Sequence, residues 1–417
     1  MLTSDFSSFK KSVSNGIIVR VFMKILNLAL DMLYLNRISS KVLGAANVRL
    51  GLLHNTLVGL VRDPFRKSLV TERYSKELLR LSLFCPGIGL GLGLIFVVFW
   101  LYVLGIPGES LEKSEYLFAV VVFALSAWLE ICNEPMYLFL KTNDFIYTIS
   151  LIDVVSQLTH IVIMLRILFK NSTIGIYDVC LLHFSRFFAM WISFIVATFM
   201  NVDTFRKVKY GAQDKSELIK SYFFQNIFHI FSNQGENFLI NIIPWLKFGE
   251  LGVYSIVFNL GSIIPHIFFA PIEESLYILC GRRSTDSIAQ KRNFFATTFH
   301  SIQRVMLYFG CFAFIYGQML SGIFFKIFFS SSTHSIDLLS QLMQQFATYI
   351  LFLAINGPLE AFVYSSLNAK DVYKSTKTLV MVSGVHFSSL ILLTTRLGVA
   401  GILYSNILVY CVRIYIS

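Results

Sequence analysis

Two apolar stretches of this chain carry polar side chains that recur with the period of an α-helix. The first has them at offsets of 0, 4, 7 and 11, at Arg20, Lys24, Asn27 and Asp31. The second has them at the same offsets, 205 residues later, at Gln225, His229, Ser232 and Glu236. Residues at these offsets share one helix face, and a charge inside a membrane span costs roughly 2.5–3.5 kcal/mol. We therefore expect both polar stripes to line a wet cavity; structural ion pairs between helices are the alternative.

A pair of adjacent glutamates, Glu273 and Glu274, follows Pro271 near the end of another apolar stretch. Neighbouring residues of a helix point about 100° apart, so the two carboxylates cannot both face one cavity. A proline at this place can kink or unwind the helix. We interpret the pair as a gate element in which one glutamate binds a basic side chain of another helix. Solvated carboxylates at the membrane surface are the alternative.

Three further glutamates lie beside a proline in apolar segments. Glu130 and Glu134 are four residues apart and precede Pro135, and Glu360 follows Pro358. We interpret them as cavity or hinge acids, with proline kinks stabilised by a carboxylate as the alternative. Four histidines have no ligand spacing and are expected to pack in the interior: His160, His183, His300 and His386.

The composition indicates what kind of molecule positions these residues. Of the 417 residues 55% are hydrophobic and 14% are charged, and the mean hydropathy is +0.67. Soluble domains contain about 25% charged residues. Runs of about 20 apolar residues, which is the length that crosses a bilayer as a helix, recur along the chain. The sequence therefore predicts an all-α polytopic membrane protein.

The hydropathy pattern predicts twelve transmembrane helices. Their approximate bounds are 16–36, 42–61, 81–106, 116–140, 145–168, 176–199, 221–246, 251–279, 298–329, 338–366, 378–395 and 398–417. Lys and Arg concentrate in the loops 62–80, 200–220 and 281–293, which places the N-terminus in the cytosol. The sequon at Asn171 then falls on the far side of the membrane, where it is a candidate N-glycosylation acceptor.

Similar hexapeptides suggest an internal repeat. "LGAANV" at residue 43 and "IGIYDV" at 174 resemble "LGVYSI" at 251 and "LGVAGI" at 397. We therefore predict two six-helix bundles in the same orientation around a central cavity. The N-terminal bundle covers 1–199, a cytosolic linker 200–220, and the C-terminal bundle 221–417.

Several function classes are disfavoured. The net charge of +11 is explained by basic cytosolic loops rather than by a nucleic-acid partner. The six cysteines lie in apolar segments without a C-x-x-C pair, so we expect buried thiols and no metal site. The chain has no G-x-x-x-x-G-K-[ST] loop, so we expect no ATP hydrolysis. We predict no enzyme activity and no cofactor.

Seven pieces of the sequence, in the same order along the chain, resemble the Rft1 family. They are "NVRL" at 47–50, "RDPFRK" at 62–67, "LSAWLEICNEP" at 125–135, "QGENF" at 234–238, "GVYSIVFNLGS" at 252–262, "APIEES" at 270–275 and "LAINGPLEAF" at 353–362. The resemblance covers almost the whole chain and implies an exporter-superfamily fold, shared with multidrug extruders and the bacterial lipid II flippase. Relatives of this kind have about fourteen spans, so we expect a C-terminal helix pair of the family to be missing here.

The resemblance also implies a function. The family is associated with moving dolichol diphosphate that carries Man5GlcNAc2 from the cytosolic to the lumenal leaflet of the endoplasmic reticulum, for protein N-glycosylation. Whether its members flip this lipid or assist another step is left open. Other proteins of N-glycosylation are further implied partners, besides the lipid bilayer.

A diphosphate cargo would need fixed positive charge, which arginine supplies through bidentate hydrogen bonds. The candidates are Arg20, Lys24, Arg49, Arg62, Arg66 and Lys67. The last three also form the basic counterpart of Glu273 and Glu274 in the repeat, so we predict that the two groups meet as a gate. Ordinary positive-inside topology is the alternative explanation for them.

Two other functions remain open. An ion-coupled exporter of small cations could use Asp31 and Glu236 as ion sites, although the basic residues of the first span favour an anionic cargo. A non-transporting accessory subunit of the glycosylation machinery is the other alternative. A glycosyltransferase is disfavoured, because the predicted lumenal loops are too short for a catalytic motif.

Overall fold

A computed structural model describes most of the chain. The described residues are 30–69, 76–102, 112–143, 145–171, 173–201, 216–243, 245–269, 271–273, 276, 299–329, 335–366 and 369–416. Four predicted site residues lie outside them: Arg20, Lys24, Asn27 and Glu274.

The described residues form helices and no strand, apart from one isolated bridge between Ile38 and Ile174. The N-terminal helices are α1 Gly51–Leu69, α2 Lys76–Tyr102, α3 Lys113–Cys132, α4 Glu134–Thr142, α5 Ile146–Lys170, α6 Ile176–Met200 and α7 Ser216–Ile242. They are followed by α8 Phe248–Gly261, α9 His300–Phe328, α10 Ile336–Ser366, α11 Ala369–Leu397 and α12 Ala400–Ile416. Two π-helical segments, Gly44–Leu50 and Pro265–Phe269, flank α1 and α8.

Eight helical segments in the described ranges are long and apolar enough to cross a membrane. They are Leu78–Tyr102, Lys113–Thr142, Tyr147–Lys170, Ile176–Met200, Phe248–Glu273, His300–Phe328, Ile336–Val363 and Val380–Leu397. Large apolar side chains on these helices are exposed, for example Leu94 and Ile95 on α2. Such a surface is expected where helices face lipid. The predicted all-α multi-pass membrane class is confirmed; the count of twelve spans in two repeats stays a prediction.

The chain divides into two compact units, Met1–Ile242 and Ile243–Ser417. Helix α7 belongs to the first unit and packs against α1. The side-chain amide of Asn226 donates to the carbonyl of Gly59 at 2.7 Å, and that of Asn241 donates to the carbonyl of Val48 at 3.2 Å. The predicted bundles 1–199 and 221–417, with the linker 200–220, stay a prediction.

Small residues bring α9 and α10 close together in the second unit. A Cβ added to Gly310 would lie 2.7 Å from the Cβ of Ala354, and Gly317 faces Ala347 in the same way. Small residues at such contacts let helix backbones approach in a membrane, where dispersion and hydrogen bonds replace the hydrophobic effect.

We predict that Gly310→Ala lowers the thermal stability of the purified protein. Overpacking of this kind costs about 1–3 kcal/mol, more than the roughly 0.5–1 kcal/mol by which alanine improves a helix interior. Gly384→Ala is the matched control, because a Cβ there meets no atom within 4 Å. Thermal unfolding in detergent measures both variants. Equal melting temperatures for Gly310→Ala and Gly384→Ala would contradict the predicted close contact.

Candidate functional site

Helix α1 presents three polar residues, His54, Arg62 and Arg66, at spacings of eight and four residues. Residues four apart on a helix lie on one face, so these side chains form a row along α1. Pro64 lies inside this helix, between the two arginines. Because proline has no N–H, the backbone here loses one internal hydrogen bond.

Opposite this row, the helix is interrupted at Asn133, between α3 and α4. Helix α3 ends at Cys132 and α4 begins at Glu134, with Pro135 at the start of the new helix. Proline is tolerated there, because the first N–H groups of a helix have no internal partner. Glu130 and Glu134 lie on either side of the break, four residues apart like Arg62 and Arg66.

The two rows meet as an arginine–glutamate ladder. Nη1 of Arg62 lies 2.7 Å from Oε1 of Glu130. Nε of Arg66 donates to both carboxylate oxygens of Glu134, at 2.8 and 3.0 Å. The matching order of the pairs means that α1 and α3 run in the same direction. Arg62 also lies 3.3 Å from Asp63, its neighbour in the sequence.

The two pairs of the ladder differ in burial. The Glu134 side chain is 0% exposed and that of Arg66 30%, with the guanidinium 3.9 Å above the Tyr137 ring. The Glu130 side chain is 14% exposed and that of Arg62 26%. A buried carboxylate is stable only when it is paired and hydrogen-bonded. Arg66 and the ring of Tyr137 therefore hold the deeper pair in place.

Two histidines extend the ladder. Nε2 of His54 lies 3.0 Å from Oε2 of Glu130, and Nε2 of His183 on α6 lies 3.3 Å from Nδ1 of His54. The His183 ring stacks on Phe123 with centroids 4.1 Å apart. The expectation that His183 only packs was therefore incomplete, because it also contacts His54. Sequence reasoning missed His54 altogether.

Residues 8–417 match a family model described as Rft protein. This chain belongs to the Rft-1 family. The Mus musculus protein named Man(5)GlcNAc(2)-PP-dolichol translocation protein RFT1 is 24% identical over 427 residues, covering 94% of this chain and 78% of the mouse chain. A Candida albicans protein of the same name is 25% identical over 457 residues, covering 97% of this chain and 80% of its own.

Solved structures show the fold that this Rft-1 family member shares with exporters. An inward closed conformation of the lipid II flippase MurJ matches with a TM-score of 0.68 at 15% identity, over 96% of this chain and 86% of its own. An inward-facing multidrug resistance MATE transporter matches with a TM-score of 0.70 at 10% identity, over 94% and 92%. The predicted resemblance in family and in fold is thereby confirmed.

The second unit of the Rft-1 protein holds its own acid cluster. Glu360 on α10 accepts a hydrogen bond from the Asn356 side chain at 2.7 Å, and Oε1 of Glu360 lies 3.6 Å from Nη1 of Arg413 on α12. The Glu273 carboxylate lies against Gly357, one turn from Glu360. These contacts place Glu273 and Glu360 together within one unit.

The remaining predicted residues are placed as follows. Arg49 is 3% exposed and lies over the Tyr116 ring at 5.6 Å. Asp31 and Glu236 are half-buried. The side chains of Lys67, Gln225, His229 and Ser232 lie outside the described part of the structure, as do the residues Arg20, Lys24, Asn27 and Glu274. The polar stripes and the gate therefore stay predictions. Among the described residues no cluster of His, Cys, Asp and Glu could hold a metal ion.

Asn171, the predicted glycosylation acceptor, is engaged by its neighbours. Its side-chain amide donates to both carboxylate oxygens of Asp178, each at 3.0 Å, and its carbonyl accepts from Arg37 at 3.3 Å. Asp178 also caps α6 by accepting from the Gly175 N–H at 3.2 Å. A glycan on Asn171 would have to displace the Asp178 contact, and its attachment stays a prediction.

We predict that Glu134→Gln destabilises the protein, because it leaves the Arg66 charge without its buried partner. Removing one member of a buried pair costs about 3–5 kcal/mol, and the 30% exposure of Arg66 moves the expected value towards the lower end. Thermal unfolding of the purified protein measures the loss.

Asp63→Asn is the matched control for this experiment. Asp63 contacts Arg62 at 3.3 Å with a side chain that is 33% exposed, and partly exposed pairs contribute only about 0–1 kcal/mol. An unfolding temperature for Glu134→Gln as high as that of Asp63→Asn would show that the Arg66–Glu134 pair is not a structural requirement.

Proposed function

We propose that this protein translocates, or assists in translocating, dolichol diphosphate carrying Man5GlcNAc2 from the cytosolic to the lumenal leaflet of the endoplasmic reticulum. The lipid-linked oligosaccharide then serves protein N-glycosylation. The observation that carries this proposal is the match to the Rft-1 family over residues 8–417, with relatives named for this translocation covering 94% and 97% of the chain. The fold is one that the lipid II flippase MurJ also has, so it is compatible with this proposal.

The proposal includes an arrangement in the membrane. Twelve spans would form two six-helix repeats around a central cavity, with the N-terminus in the cytosol. The polar stripes of the first and seventh spans would line that cavity. The fold-level likeness to exporters supports this arrangement, since repeats in such proteins enclose their substrate site near the middle of the bilayer.

Arg62 is the described residue best suited to contact the diphosphate. It lies at the end of the predicted second span, its side chain is 26% exposed, and it is paired with the carboxylates of Asp63 and Glu130, which an anion can replace. Arg66 is bound more tightly, since its Nε donates to both oxygens of a fully buried carboxylate. Arg49 is buried, with its guanidinium over the Tyr116 ring, and is better placed for packing.

The gate forms a second part of the proposal. In it Arg62, Arg66 and Lys67 approach Glu273 and Glu274 when the cytosolic side closes. Arg62→Cys combined with Glu273→Cys, in a background without native cysteines, tests this by oxidative cross-linking. A cross-link expected in one transport state, and absent from a control pair of Arg396→Cys with Glu273→Cys, would support the gate. Failure to cross-link in every state would contradict it.

Replacing the Candida albicans relative with this chain in that yeast tests the function. We predict that this chain restores normal lipid-linked oligosaccharides and glycosylation in a strain depleted of its own protein, whereas Arg62→Gln leaves the five-mannose intermediate several-fold in excess. Arg396→Gln is the matched control, because Arg396 is exposed at the end of α11. Normal profiles with Arg62→Gln would exclude the role of this arginine.

Reconstitution separates translocation from assistance. Purified protein in vesicles should move the dolichol-linked oligosaccharide between leaflets if the chain itself translocates the lipid. Rescue in cells without any such movement in vesicles would favour an accessory role. A chain that neither restores the profile nor moves the lipid would overturn the proposed function.

A further inference from the structure

We propose that His183, His54 and Glu130 form a proton-binding relay that controls whether Arg62 is free to bind an anion. Four side chains from three helices lie in a continuous series of polar contacts. The steps are 3.3 Å from His183 to His54, 3.0 Å from His54 to Glu130 and 2.7 Å from Glu130 to Arg62. A proton site is not part of the proposed translocation function, which would need only a basic group for the diphosphate.

The proposed relay starts from two neutral imidazoles, and the contacts then fix which nitrogen of each carries the hydrogen. Glu130 is ionised beside Arg62 and accepts a hydrogen bond, so Nε2 of His54 must carry the hydrogen. Nδ1 of His54 is then an acceptor, because a neutral imidazole has one donor and one acceptor nitrogen. Nε2 of His183 therefore donates to it, and Nδ1 of His183 can accept a further proton. The series runs in one direction, from His183 to Glu130.

One proton can cross this series in three balanced steps. A proton binds Nδ1 of His183, and the hydrogen on its Nε2 passes to Nδ1 of His54. The hydrogen on Nε2 of His54 then passes to Oε2 of Glu130. Both imidazoles end neutral with the hydrogen on Nδ1, and Glu130 becomes a neutral carboxylic acid. One proton has entered and one carboxylate has been neutralised.

Neutralising Glu130 would release Arg62 from its strongest partner. Asp63 remains at 3.3 Å, but that carboxylate is 33% exposed and easily displaced by an anion in water. Arg66 stays bound, because Glu134 lies beyond the relay and is 0% exposed. The ladder thus has one pair that protonation can open and one that remains closed, so α1 and α4 stay attached while Arg62 becomes available.

Several other charged or titratable groups act on the relay from the helices packed around it. They are Arg66 on α1, Glu134 on α4, His160 on α5 and Arg186 on α6, and Asp63 on α1 through its contact with Arg62. Arg186 and His160 lie close enough to His183 to influence its charge.

Infrared difference spectroscopy tests whether Glu130 binds a proton. The purified protein in lipid nanodiscs is compared between about pH 8 and about pH 5. We expect a carboxylic-acid band at low pH that is lost in Glu130→Gln and retained in Glu360→Gln, a partly buried glutamate of the second unit. A band that persists in Glu130→Gln, or no difference in band between that variant and the unmodified chain, would overturn the proposal.

Binding of inorganic pyrophosphate tests the release of Arg62. Glu130→Gln lacks the Arg62–Glu130 ion pair at every pH, so it corrects for protonation of pyrophosphate itself. We expect the unmodified chain to bind as tightly as Glu130→Gln at about pH 5 and several-fold more weakly at about pH 8. Arg62→Gln should bind weakly throughout. If the unmodified chain binds pyrophosphate with the same affinity as Glu130→Gln at both pH values, control of Arg62 by Glu130 is contradicted.

Two histidine variants address the relay itself. His183→Gln and His54→Gln should shift the pH at which the Glu130 band appears, while Phe187→Leu, which alters a ring packed against His54, should not. An unshifted titration in both histidine variants would exclude the relay, even if Glu130 binds a proton. The infrared band and the ratio of pyrophosphate affinities at the two pH values do not depend on the dolichol-linked cargo. A negative result in these two measurements is therefore distinguishable from a failure to restore oligosaccharide profiles in yeast.

Discussion

The buried carboxylate of Glu134 is the constraint on which the first unit depends. A charge with no exposure to water is tolerated only when an opposite charge and hydrogen bonds meet it. Arg66 supplies both, with its Nε at 2.8 and 3.0 Å from the two oxygens. Because Arg66 lies on α1 and Glu134 at the start of α4, this contact fixes the axial position of one helix against the other. The Arg62–Glu130 pair, whose members lie four residues earlier in the sequence than Arg66 and Glu134, then falls into register.

The break between α3 and α4 makes this arrangement possible. Asn133 ends one helix, and Pro135 at the start of the next cannot donate to the preceding turn. Asn133 at the break is buried, so the irregular backbone there is kept out of lipid, where it is not tolerated. The second unit places Glu360 near Pro358 in α10 but takes its arginine from α12, at Arg413. The two units therefore neutralise comparable glutamates from different helices, which a simple duplication of contacts would not produce.

Much of the helical framework was predictable from the sequence. The predicted span 116–140 corresponds to Lys113–Thr142, and 176–199 to Ile176–Met200, because long apolar runs with few charges are a strong signal. The participants of the ladder were also selected as site residues from their charge and spacing. The partners of these residues were not predictable from the sequence, because spacing shows which residues share a helix face but not which helix lies opposite. Glu130 and Glu134 bind Arg62 and Arg66 in this structure, and the gate contact of these arginines with Glu273 and Glu274 stays a prediction.

His54 shows why a single polar residue is hard to interpret. In the sequence His54 belongs to no motif or repeated spacing. Only the folded chain places it between Glu130 and His183. The two pairs of the ladder consequently have different physical roles. Glu134 has both oxygens occupied by one arginine and no water contact, so a proton could reach it only by breaking the pair that holds α1 and α4 together. Glu130 divides its oxygens between Arg62 and His54, so a proton delivered by the imidazole can neutralise it without disturbing the deeper pair. Structural attachment and response to protonation can therefore coexist four residues apart.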